Sequence, residues 1–126
     1  MAKEPRPLDG SNEPYYSGKT SASEHIVFTQ VSSPSEPMGV TKDTVFSNFA
    51  LKLNSGDILV TCTDGLLESL NENGVQYSIE NLKKVIVKNS GAAAKDISNR
   101  VKDDLKKYCG AAQQYDDQSL LVVKIQ

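Results

Sequence analysis

The chain has 126 residues, enough for one domain with a buried core, and its 14 Lys and Arg against 16 Asp and Glu give a formal net charge of −2. No block of like charge marks a nucleic-acid footprint or an anionic-membrane patch, and no apolar stretch approaches the roughly 20 residues that span a bilayer. The first residues also lack the apolar segment of a secretion signal, so the expectation is a cytoplasmic protein with no nucleic-acid or membrane contact from this segment.

Met1 to Glu24 carries Pro5, Pro7, Pro14, Gly10 and Gly18 among polar residues. Too little apolar surface is available there to offset the entropy of ordering, so residues 1–24 read as a polar leader or linker, tacked down at Tyr15 and Tyr16. His25 to Val31 alternates as a first strand. The proline-containing stretch Ser32 to Val40 reads as a loop, and Thr44 to Leu53 as a second strand with Phe49, Leu51 and Leu53 on its buried face. Asn54, Ser55 and Gly56 form a turn. Asp57 to Thr63, "DILVTCT", is a third strand, apolar on both faces in its middle.

Beyond Gly65 the spacing becomes helical. Leu66, Leu67 and Leu70 suit a short helix that stops near Asn73 and Gly74, and Ser78 is placed to cap a second helix with Leu82, Val85 and Ile86 on one stripe. A third helix, from about Ala93 to Tyr108, aligns Ile97, Val101, Leu105 and Tyr108, then closes at Gly110. A last strand runs from Leu120 to Ile125. Strands joined by short turns, then helices, then a strand predict the α+β class, an antiparallel sheet with helices packed on one face.

Cys62 and Cys109 lack the spacing and neighbouring histidines of a zinc site, and they read as reduced thiols. With His25 as the one histidine, chemistry falls to carboxylates. Asp64 follows the end of one predicted strand, and Asp116 with Asp117 precedes the start of another. If these strands run antiparallel, the three carboxylates gather at one end of the sheet, where mutual repulsion calls for a cation. Hard ions such as Mg²⁺ or Mn²⁺ favour such oxygen donors. The competing reading is structural: Asp-Gly is a common turn pair, Asp-Asp suits a solvated loop, and Glu68 suits a helix N-terminus through the dipole.

The stretch "LNSGDILVTCTDGLLESLNENG", two helices, and then "YDDQSLLVVKI" together resemble the C-terminal half of the metal-dependent protein serine/threonine phosphatases of the type 2C class. The similarity is greatest to the bacterial branch typified by sporulation stage II protein E, and "SEPMGV" at Ser35 to Val40 resembles a Pro-Leu-Gly segment found there. The resemblance covers about His25 to Gln126, and implies an α-β-β-α sandwich of which residues 25–126 are part. It further implies metal ligation by Asp64 and Asp116, with Asp117 and Ser119 shaping the loop and Glu68 supporting a ligand or a more weakly held ion. Two Mn²⁺ or Mg²⁺ ions in the complete domain would activate water for hydrolysis of phosphoserine or phosphothreonine. The implied partner is a phosphorylated regulatory protein, such as an anti-sigma-factor antagonist.

The Gly-Asp-x-x-Asp and Asp-x-x-Gly-His-Gly segments that supply further ligands in such phosphatases do not occur in the sequence. The chain therefore reads as the incomplete half of an enzyme, inactive alone, with a sheet face that helices, the leader or a second copy of the chain would cover. The alternative is a non-catalytic phosphatase-like module that binds a partner protein.

Overall fold

The computed structural model describes residues 15–16, 26–29, 36–46 and 50–126. Its contacts divide the chain into one unit over residues 1–52 and another over residues 53–126.

In the first unit, strand β1 (Tyr15–Tyr16) pairs antiparallel with β2 (Val27–Phe28), Tyr15 opposite Phe28 and Tyr16 opposite Val27. The predicted first strand is thus shorter than His25 to Val31, of which residues 25, 30 and 31 lie outside the described set. The remainder of the 1–24 leader lies outside it as well. The strand expected over Thr44 to Leu53 is not found among its described residues: 44–46 and 50–53 carry no strand pairing, and residues 47–49 lie outside the described set. Val45 and Phe46 are exposed. Strand propensity reflects fit to a neighbouring strand, and no such neighbour reaches this segment among the described residues.

The second unit is built on strands β3 (Ile58–Cys62) and β4 (Leu120–Lys124), paired antiparallel from Ile58 opposite Lys124 to Cys62 opposite Leu120. Period-two alternation turns Val60 and Val122 to one face and Thr61 and Leu121 to the other. The ladder continues past both strand ends. Gly56 N donates to Ile125 O at 2.9 Å beside the Asn54–Gly56 turn, and Thr63 N donates to Ser119 O at 3.1 Å at the opposite end.

Three helices connect the strands: α1 (Asp64–Leu67), α2 (Ser78–Lys88) and α3 (Ala94–Cys109). Helix α3 packs on β4, α2 on α3, and α1 on α2, giving an α+β arrangement with helices against a two-stranded antiparallel sheet. The predicted stripes supply the core: Leu82 and Ile86 from α2 and Ile97, Val101 and Leu105 from α3 are buried, joined by Leu66 and Tyr77. Leu121 and Val123 remain exposed.

Two local expectations change. Helix α1 stops at Leu67 instead of near Asn73 because Asn71 organises a turn: its Oδ1 accepts from Asn73 N at 3.0 Å and Val75 N at 2.9 Å, and Leu70 bridges to Gln76. Nor does Ser78 cap α2. It stands at φ +66° inside the helix limits, and no side-chain cap is made. The entry to α2 is held instead by fully buried Tyr77, whose hydroxyl donates to Asp104 Oδ2 at 2.7 Å and whose ring meets Tyr108 edge-on at 5.3 Å.

Candidate functional site: an acidic rim at one end of the sheet

Because β3 and β4 are antiparallel, the C-terminal end of one and the N-terminal end of the other share a rim, and both Asp-bearing segments leave the sheet there. Asp64 opens α1, with its side chain exposed at the first turn. Gly65 follows and is buried. A Cβ on Gly65 would collide with the carbonyl oxygen of Asp117 and would lie 3.1 Å from Asp117 C and 3.2 Å from Asp116 Cβ. The missing side chain lets the Asp116–Asp117 backbone lie directly against the start of α1, as close backbone approach requires.

Thr63 locks this contact. Its Oγ1 donates to Asp117 O at 3.2 Å and accepts from Ser119 N at 3.0 Å, while its backbone N–H reaches Ser119 O. Asp117 and Ser119 therefore shape the loop through their main chain. Asp116 Oδ1 accepts from Asp117 N at 2.8 Å, and Gln114 Nε2 donates to Asp116 O at 2.8 Å. From the helical side, Ser69 Oγ donates to Gly65 O at 2.7 Å and accepts from Gln118 Nε2 at 2.7 Å.

Glu68 is exposed and sits at the C-terminal cap of α1, its N–H bonded to Asp64 O at 2.8 Å. This corrects the reading of Glu68 as a helix N-terminal charge; Asp64 occupies that position, within a single turn of helix. Burial first, and the Asp64 carboxylate second, push the Cys62 thiol above its usual range, so Asp64's charge is felt at the end of β3. Both cysteines are free thiols.

Asp64, Glu68, Asp116 and Asp117 thus occupy one end of the β3–β4 ladder. Their carboxylates suit a hard cation that keeps much of its water. Among the described residues, no three His, Cys, Asp or Glu side chains converge as ligands for one ion. His25 is outside the described residues.

The model of the family described as Stage II sporulation protein E (SpoIIE) matches residues 15–126. The chain belongs to the SpoIIE family. Membership makes it a phosphatase-like domain, in agreement with the resemblance carried by the Thr-Asp-Gly and Asp-Asp-x-Ser segments. No curated protein and no solved structure matches the chain. Among the described residues, no helix is long and apolar enough to cross a membrane.

Sequence reasoning about this SpoIIE-family domain missed Thr63, Ser69 and Gln118. Thr63 had a signal, since it precedes Asp64 in the Thr-Asp-Gly segment and its hydroxyl can both donate and accept. Ser69 and Gln118 had none, because they are 49 positions apart and meet only when β3 and β4 pair.

Proposed function

We propose that this chain contributes the C-terminal part of the active site of a metal-dependent protein serine/threonine phosphatase, with Asp64 and Asp116 as metal ligands. The observation that carries the proposal is the seating of the Asp116–Asp117 backbone on Gly65, which joins two acidic segments distant in sequence at one rim. Glu68 lies one helical turn from Asp64 and would support a ligand or a weaker ion, and Asp117 acts through its main chain. In the complete domain two Mn²⁺ or Mg²⁺ ions would supply an activated water and neutralise charge on the phosphoryl group.

The chain's own residues prepare that chemistry. Thr63 fixes the separation of the Asp64 and Asp116 segments through paired contacts to Asp117 and Ser119. Asp116 Oδ1 is held by Asp117 N, which orients the carboxylate before any ion arrives. Further ligands would come from a first half of the domain, and the substrate would be phosphoserine or phosphothreonine on a cytoplasmic regulatory protein, such as an anti-sigma-factor antagonist.

The test is hydrolysis of p-nitrophenyl phosphate with Mn²⁺ by the intact protein, meaning this chain together with the first half of the domain that would complete the ligand set. Activity should vanish with chelator and fall by at least about a hundredfold in Asp64→Ala and Asp116→Ala, because each removes an anchor of the reacting centre. Undiminished activity in chelator would overturn the assignment. Inactivity of the folded intact protein with either metal would leave the non-catalytic partner-binding reading in its place.

A further inference from the structure

A cavity of about 530 Å³ opens beside the acidic rim, large enough for a few residues of an extended peptide. Its lining includes Gly65, Glu68 and Asp116 together with Lys102, Leu105 and Lys106 of α3. Spacings of three and four place these α3 residues on neighbouring points of one helix face. Leu105 is buried, and the two lysines beside it are exposed.

Lys106 lies in the last turn of α3, where the helix dipole favours a cation, but Lys102 stands a full turn earlier. Among the described residues neither ammonium group has an ion-pair or hydrogen-bond partner, although Glu68 and Asp116 line the same cavity. The cavity therefore presents two lysines that make no ion pair among the described residues, next to the carboxylates assigned above to phosphoryl chemistry. Compact ammonium groups on flexible stems suit carboxylates of varied placement.

We propose that Lys102 and Lys106 select the protein substrate by docking acidic residues that flank its phosphorylated side chain. The choice of a phosphorylated segment rests on the phosphatase reading; the preference for acidic flanks rests on the cavity. The lysines are specificity-determining groups and take no part in phosphoryl transfer.

Fluorescence anisotropy on the intact protein tests this with two labelled phosphoserine peptides, one flanked by Asp and Glu, the other by Asn and Gln at the same positions. The acidic peptide should bind about five- to tenfold tighter, in keeping with two exposed ion pairs, and the preference should shrink as salt is raised. In Lys102→Glu/Lys106→Glu the preference should disappear or invert, and Lys102→Arg/Lys106→Arg should restore it. Circular dichroism melts establish that each variant is folded. Equal binding of both peptides by the unaltered protein, or an unchanged preference in the folded charge-reversed variant, overturns the proposal. Failure of the phosphatase reading looks different: flank preference persists in a protein that hydrolyses no p-nitrophenyl phosphate.

Discussion

Replacing Gly65 with alanine tests the contact that assembles the rim. Glycine to alanine inside a helix ordinarily stabilises by up to about 1 kcal/mol. Here α1 has four residues, so that gain is at its smallest. Against it, the new methyl would meet Asp117 O, Asp117 C and Asp116 Cβ, two of which are backbone atoms that no side-chain rotation can move. Relieving such overpacking costs about 1–3 kcal/mol. Pushing the loop away also weakens the Thr63 hydrogen bond to Asp117 O, worth about 1 kcal/mol. The expected net loss is about 1–3 kcal/mol, read by urea denaturation as a lower midpoint at unchanged slope. Gly91→Ala is the matched control, since nothing lies within 4 Å of its would-be Cβ; its effect should stay within about 0.5 kcal/mol. A Gly65→Ala protein as stable as the parent would refute the claim that backbone contact at Gly65 holds the two acidic segments together.

Other outcomes follow from the same geometry. Ile97→Ala removes a fully buried side chain from the α2–α3 core and should cost about 2–5 kcal/mol by chemical denaturation, a large share of a total stability of about 5–15 kcal/mol. Burial, with the hydrogen bond and charge of Asp104, pushes the Tyr77 phenol well above its ordinary range. Because the folded state holds the neutral phenol, this stability is complete below the unfolded pKa of about 10 and is lost as pH rises beyond it. Tyr77→Phe should cost about 1 kcal/mol at neutral pH yet flatten the alkaline decline, as followed by stability curves between pH 8 and 11. Cys62 should react slowly with iodoacetamide at pH 8, and Asp64→Asn should speed it by lifting the smaller, electrostatic part of the thiol's shift. Mn²⁺ bound at Asp64 should accelerate the same reaction, and an unchanged rate at saturating metal would count against Asp64 as a ligand.

Strong periodicity made most of the second unit legible in the sequence. The stripes Leu82 and Ile86, and Ile97, Val101 and Leu105, specify helices because burial of one face is cooperative along the whole element. Elements that depend on one side chain or on an absent neighbour were not legible. Asn71 ends α1 by capturing two backbone donors, which the leucine spacing across Leu66 to Leu70 does not reveal. The apolar residues of 44–53 suggest a strand, but a strand is completed by a backbone ladder to another segment, and its described residues carry no such pairing.

The acidic rim divides in the same way. Local order in the chain was enough to put Asp64 after a strand, Asp116 and Asp117 before another, and a glycine where the first turns into a helix. Whether these sites meet depends on strand direction and register, which pair Cys62 with Leu120 and bring Thr63 to Ser119. Register is a property of two distant segments packed against a common layer of helices, so it arises only on folding. The hydrogen bonds of Thr63, Ser69 and Gln118, and the lysines of α3 at the cavity, belong to that tertiary level. Their residue types are ordinary, and only their placement gives them a role.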